Sequence, residues 1–227
     1  MKILVPMGER GWMQTVKNVP LPLWPLNRST VMQEAVKATV GLGEVHVSPL
    51  FDLAVVPGFS TVLPRGCHHV VLEPTPGAMQ TLLQMGDCVL EHEEVIVQDA
   101  RWVLEATEVS QAITVFRESQ ASAGFLLSKG MKGTCLVTVS PDWTVMETVV
   151  PEDGQMGWYL AGLSWWRSGS VLVEALRRAR AAHETEVGRV FSSFIGSVKG
   201  FPVSAAQWVG DRESYLRVQE GLRCLSK

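Results

Sequence analysis

The sequence predicts an α/β fold: a mixed, mostly parallel sheet with helices packed on it. Three observations carry this expectation. Through residues 1–120, short apolar runs bounded by turn residues alternate with amphipathic, capped segments, the pattern of βαβ units. In the second half, two apolar runs flank a Pro-Asp turn, which reads as an antiparallel pair near residues 134–150 and makes the sheet mixed. The 227 residues, 46% of them hydrophobic, suffice for one sizeable core, so the chain reads as one domain, 1–227, with no internal repeat, linker or low-complexity tract.

Each element has its own signal. "KILVPM" (2–7) is short, continuous and apolar, the mark of a buried strand. "STVMQEAVKATVGLG" (29–43) reads as a helix, with Thr30 and Gln33 as a capping-box pair and Gly41 and Gly43 at its end. "LAVVPG" (53–58) reads as the second strand and "HHVVLE" (68–73) as the third. "TPGAMQTLLQM" (75–85) opens a helix with Thr75 as N-cap and Pro76 at the first helical position. "EVIVQD" (94–99) is a fourth strand that ends on an acid, and "EVSQAITVFRESQA" (108–121) places Val109, Ile113 and Phe116 at helical spacing. Beyond the antiparallel pair, "WYLAGLSWW" (158–166) is a strand whose Trp165 and Trp166 pack on its two faces. "SVLVEALRRARAA" (170–182) is a helix with arginines in its last turn, where they suit the helix dipole. "EVGRVFSSFI" (186–195) sets Val187, Val190, Phe191, Phe194 and Ile195 on one helical face. "PVSAAQW" (202–208) is a late strand and "DRESYLRVQEGLRCL" (211–225) the terminal helix.

Composition narrows the function. A net charge of −3 gives no electrostatic footprint for nucleic acid. No apolar run reaches the roughly 18 residues of a membrane span, and the apolar start is too short for a signal peptide. Cys67, Cys88, Cys135 and Cys224 lack a framework spacing and read as reduced thiols of a cytoplasmic protein. Cys67, His68 and His69, with Cys88 and His92 downstream, fit no zinc spacing.

The stretch "VPMGERGWMQTVKNVPLPLWPL" (5–26) places a glycine-containing loop after the first strand and a Pro-x-Pro segment after the loop. It lacks G-x-G-x-x-G, so it is not a dinucleotide fingerprint. Taken in order, "ILVPMGERGWM" with "VPLPLWPL", "EPTPGAMQTLL", "VIVQDARWVL", "YLAGLSWW", "HETEVGRVFSSFI" and "WVGDRESYLRV" resemble the segments of the sugar-1-phosphate nucleotidyltransferases over nearly the whole chain. That resemblance implies a three-layer α/β/α, GT-A-like (Rossmann-like) architecture. It implies that the backbone of Gly8 and Gly11 faces phosphates, and that Gly77 and Gln80 stand beside the base. It places Gly162 and Glu184 near the sugar and makes Asp99 the ligand of a magnesium ion. It aligns Gly210 and Glu213 with the family's late Gly-Thr-Pro-Glu-Asp-Leu segment.

The residues also admit plainer readings. Asp99 reads equally as a solvated acid at a strand end, Gly77 and Gln80 as a helix entry, and Glu184 as an acid in a first helical turn. Trp12 and Trp24 read as stacking surfaces or as an apolar lid. Against the family pattern, Glu9 stands where a second glycine is expected, Met13 where an arginine is expected, and Leu21 in place of the Pro-Lys-Pro lysine; Asp211 and Arg212 replace Thr and Pro. Nucleotidyl transfer rests on positioning and on cancelling the charge that develops on the phosphates. Loss of one such donor costs on the order of 10²–10³ in rate. The sequence therefore reads as a degenerate nucleotidyltransferase-like protein that binds a nucleotide or nucleotide sugar or serves as an assembly subunit, with a protein partner or a second copy of itself. The alternative is an active nucleotidyl- or glycosyltransferase that makes or uses a nucleotide sugar, with Arg10, Lys17 or Arg28 as substitute cations.

Overall fold

A computed structural model describes residues 1–7, 15–16, 19–26, 28–49, 51–69, 75, 77–86, 89, 91–130, 135–152, 154–184, 190–191, 194 and 196–225. The chain enters through β1 (Lys2–Met7). Two small hairpins follow, β2 (Thr15–Val16) with β3 (Val19–Pro20), and β4 (Pro25–Leu26) with β5 (Ser29–Thr30). Then come α1 (Val31–Val36), β6 (Glu44–Pro49), the short helices α2 (Phe51–Ala54) and α3 (Phe59–Val62), β7 (His68–His69) and α4 (Ala78–Gln84). The centre holds β8 (Val95–Gln98), β9 (Trp102–Val103), α5 (Ala106–Glu118) and β10 (Ala123–Gly130). The last part is β11 (Leu136–Val139), β12 (Val145–Val149), β13 (Gly157–Trp166), α6 (Gly169–Ala181), β14 (Val198–Val203), β15 (Gln207–Trp208) and α7 (Arg212–Leu225).

Nine of these strands form one sheet. β8, β1, β6 and β7 lie side by side and parallel, with Lys2 level with Val95 and Glu44, and His46 level with His68. β13 then runs antiparallel to β8 on one edge and to β10 on the other; β14 is parallel to β10, and β11 antiparallel to β13. Seven of the nine strands thus point the same way, and only β12 and β13 oppose them. The sheet is mixed and mostly parallel, as expected, and the β11–β12 pair brackets the Pro-Asp turn.

Helices cover both faces. One core joins β1, β6 and β13 to α1, α5 and α7 through Ile3, Val5, Val31, Phe116, Trp165 and Tyr215. The other joins the opposite faces of β1 and β13, together with β8, to α4 and α6 through Leu4, Met79, Leu82, Val97, Trp166 and Leu176. The adjacent Trp165 and Trp166, both fully buried, point into different cores, as strand alternation requires.

Several expectations are corrected. Residues 53–58 are not a strand. Leu53 is buried at the end of α2, the Val56 N–H donates to the Leu53 carbonyl in a turn, and Val55 is 61% exposed. The strand that pairs with β1 is β6, "EVHVSP". Both its faces are covered, so His46 and Ser48 are buried and interrupt the apolar run that would mark it in the sequence. β10 is likewise obscured in the sequence, because it opens on Ala123-Gly124. The missing Cβ of Gly124 leaves room for the Phe116 ring of α5, whose atoms lie 2.5 Å from where that carbon would be. α1 ends at Val36 rather than continuing to Gly43, although Thr30 does cap it by accepting the Gln33 N–H. α4 is capped at Gly77, not Thr75, whose hydroxyl instead bonds the Thr81 hydroxyl at 2.7 Å. The late strand begins at Val198 and breaks at 204–206. Of the third strand, His68–His69 is described, and residues 70–73 lie outside the described residues, as does most of the expected helix 186–195.

A buried amide ties α1 to the central strand. Gln98 is fully buried; its Nε2 donates to the Ala35 carbonyl at 2.5 Å and its Oε1 accepts from the Thr39 hydroxyl at 2.5 Å. Gln98→Leu preserves volume but leaves that carbonyl unpaired. The expected loss is about 1–3 kcal/mol, read by urea unfolding as a lower midpoint at unchanged slope.

Candidate functional site

The parallel registers place the carboxyl ends of β1, β6 and β8 on one edge of the sheet, where ligands of open α/β folds bind. Topology brings more residues to that edge. α4 joins β7 to the parallel β8, so it must run back across the sheet and start at the carboxyl edge. That puts Gly77, its buried N-cap in extended conformation, and the half-buried Gln80 there. α6 starts at the opposite edge, where the Ser170 N–H donates to the carbonyl of Glu91, and its 13 residues climb about 20 Å. Glu184 therefore reaches the same edge. It stands past the end of α6, its N–H bonded to the Ala179 carbonyl at 2.9 Å, and not in the first turn of a described helix. Gly8, Glu9, Arg10, Gly11, Trp12, Met13 and Lys17 lie outside the described residues.

Leu21 is described and is fully buried in a 3₁₀ turn spanning Leu21–Leu23. Its neighbour Trp24, 2% exposed, donates from Nε1 to the Val19 carbonyl at 2.7 Å and meets Tyr215 of α7 edge-to-face at 5.1 Å. The Tyr215 hydroxyl donates to the Pro25 carbonyl at 2.5 Å. The Pro-Leu-Pro segment is therefore core, anchored to the terminal helix. An ammonium at position 21 would have to be desolvated there, a large cost.

Asp99 follows β8 directly and is level with Gly162 of β13, to whose carbonyl its N–H donates at 2.7 Å. Two sequence candidates are thus adjacent. The Asp99 carboxylate is engaged, however. Oδ1 accepts from the backbone N–H of Arg101 at 3.0 Å and from its Nε at 2.9 Å, while Oδ2 accepts from Nη2 at 2.9 Å. The same guanidinium lies 5.2 Å from the centre of the Trp208 ring. The Arg101 carbonyl accepts from the Val209 N–H at 2.8 Å, beside the β9–β15 pair.

Two glycines make room for indoles here. Gly162 has φ +70°, and a Cβ on it would meet the Trp102 ring at 2.3 Å; a Cβ on Gly210 would meet Trp208 at 2.1 Å. Gly162 is thus required twice, for its left-handed backbone and for the indole against it. Trp102 and Trp208 meet edge-to-face at 5.5 Å. Arg101, Trp102 and Trp208 were not singled out from sequence; the only signal was an arginine two residues after the acid in "QDARW".

Among the described residues, no three His, Cys, Asp or Glu side chains gather to hold a metal ion. Asp99 stands directly at the end of β8, and a guanidinium grips both its oxygens. Hard cations such as magnesium take several oxygen ligands, so these residues, as arranged, do not fit one. At the other end of the sheet, His68 bonds Glu44 at 2.8 Å and stacks on His46 at 5.0 Å.

Two outcomes follow. Manganese alone should shift the melting temperature of the protein and of Asp99→Asn equally, because the carboxylate is not available to it; a shift lost in the variant would restore Asp99 as a ligand. Gly162→Ala should cost about 1–3 kcal/mol in a thermal melt, from a left-handed backbone and a displaced indole together.

No protein-family model and no curated protein matches the chain. Solved structures do. HddC from Yersinia pseudotuberculosis, complexed with GMP-PN, is similar at a TM-score of 0.73 and 12% identity, over 97% of this chain and 98% of that one. The UTP-bound UGPase from Acinetobacter baumannii gives 0.73 and 12%, over 97% and 92%. The CTP:phosphocholine cytidylyltransferase LicC from Streptococcus pneumoniae gives 0.71 and 13%, over 97% and 98%. Likeness at such identities concerns architecture, and it is end to end: the chain has the GT-A-like fold found in sugar-1-phosphate nucleotidyltransferases.

Proposed function

We propose that this chain is a nucleotidyltransferase-like binding protein: it holds a nucleotide or nucleotide sugar at the carboxyl edge of its sheet and does not transfer the nucleotidyl group. The observation that carries the reading is the Asp99–Arg101 pair beneath Trp208. A carboxylate consumed by an internal guanidinium cannot organise the phosphates through a metal. Leu21 points the same way, because the position where the family resemblance expects a lysine is a core side chain.

The neighbours complexed with GMP-PN or bound to UTP support the ligand class. In this reading the base lies against the α4 start at Gly77 and Gln80, and the phosphates face the backbone of Gly8 and Gly11. The sugar lies toward Gly162 and Glu184. Glu9 and Met13 leave the loop without the cations that stabilise a departing pyrophosphate. An assembly role, with a partner chain or a second copy, belongs to the same reading, since binding without turnover serves as a ligand-dependent signal.

Incubation with each common nucleoside triphosphate, magnesium and sugar-1-phosphates or phosphocholine should release no pyrophosphate above buffer. In a thermal-shift series, a nucleotide or nucleotide sugar at about 100 times its Kd should add about 2.7 kcal/mol of stability. Robust pyrophosphate release would overturn the reading and direct attention to Arg10, Lys17 and Arg28.

A further inference from the structure

An open cleft of about 360 Å³ lies between the end of β10, the β9–β15 pair and α7. It adjoins the position assigned above to the sugar, because its Trp102 wall packs against Gly162, but Lys129 and the α7 residues Ser214, Arg217 and Gly221 belong to no position of that reading, and the inference rests on them. Trp102 and Trp208 form its apolar wall, Lys129 and Arg217 stand at its rim, and Ser128 and Ser214 add hydroxyls. Its size falls in the range of small-molecule sites, which combine apolar walls with a few placed polar groups.

The charge of the lining is one-sided. Lys129 is exposed and, among the described residues, makes no ion pair. Arg217 is 62% exposed, and its ion pair, with Glu213 one helical turn away, is 3.7 Å long. Such exposed pairs are weak, so its guanidinium can turn to another anion at little cost. Among the described residues, no acidic side chain lines the cleft. Two cations in the same cleft as two indoles match a ligand with an anionic head and a flat or ring-shaped body: the charge meets Lys129 and Arg217, and the ring lies against the indoles.

We infer that this cleft binds a small ring-bearing phosphate or carboxylate anion, without a divalent cation. The opposing charge is supplied by the two side chains, and the nearest strand-end acid, Asp99, is already neutralised by Arg101.

Gly221 and Gly130 border the cleft, and a Cβ on either would meet nothing within 4 Å. Gly221 lies within α7, where glycine is the poorer helix former, so a larger residue there does not weaken the helix. Gly221→Phe therefore fills the cleft while leaving the fold intact. The test is calorimetric titration in EDTA with phenyl phosphate and with benzoate, which separate the two head groups, and with inorganic phosphate and benzyl alcohol, each of which lacks one half of the ligand. Phenyl phosphate or benzoate should bind, and inorganic phosphate and benzyl alcohol should bind about tenfold more weakly or worse. Lys129→Ala should weaken the better ligand about tenfold, the loss of one charge-assisted contact, and Gly221→Phe should abolish binding at an unchanged melting temperature. Absence of binding by both ring-bearing anions at millimolar concentration, binding that survives Gly221→Phe, or benzyl alcohol binding as tightly as the anions would each overturn the inference.

Discussion

The structure depends on the antiparallel strand β13. It is the one strand that holds three others, with β10 along one edge and β8 and β11 sharing the other. Without it, the parallel half of the sheet and the half bearing β10, β11 and β14 would not be one surface. Its last two residues fill both cores, Trp165 on the side of α5 and Trp166 on the side of α6. Its change of partner occurs around Gly162, whose positive φ opens space for the Trp102 indole and whose carbonyl takes the N–H of Asp99. Sheet continuity and the shape of the strand-end site are therefore the same event.

The electrostatics of that site follow from a short local motif. A carboxylate at a strand end is usually half solvated and open to a cation. Here the Asp99 side chain first accepts the N–H of Arg101, which turns the chain back, and this turn presents the guanidinium of the same residue to both oxygens. The β9–β15 pair and the Trp208 ring then hold Arg101 from the other side. Only about a fifth to a quarter of each side chain is exposed, so water competes less for this pair than for a surface ion pair. The arrangement is self-contained: it uses residues from three elements and asks nothing of a ligand.

The likeness to nucleotide-binding enzymes of known structure is architectural, spanning both chains almost end to end at 12–13% identity. The sheet, its crossovers and the crevice at its carboxyl edge require only apolar patterning and a few glycines, which tolerate wide sequence change. Chemistry, by contrast, requires particular charged groups at particular places, so it tolerates far less change than architecture does. Gly162 and Gly210 illustrate the distinction. Both sit where the family resemblance places glycines, yet in this chain each accommodates a tryptophan.

Much of the fold was legible in the residues themselves. β1, β8, α5, α6 and α7 carry continuous apolar runs or clear 3.6-residue periods, and Thr30 and Gln33 announce the start of α1. The adjacent Trp165 and Trp166 could be read as serving two faces because strand alternation is strictly local. Three things could not be read. β6 was hidden, because burial on both faces let His46 and Ser48 sit inside and break the apolar signal. β10 was hidden because its small residues have meaning only against Phe116 of a neighbouring helix. The state of Asp99 was hidden as well. Sequence put an acid at the end of a strand and, by resemblance, offered it to a metal. Arg101, two residues on, takes that acid, and the packing of β15 against β9, about a hundred residues apart in the chain, sets Trp208 against the guanidinium that grips it. Local periodicity writes itself into sequence because it depends on near neighbours. Whether a charge stays with a near neighbour or is open to a ligand depends also on which distant surface arrives beside it, and that is decided only when the chain has folded.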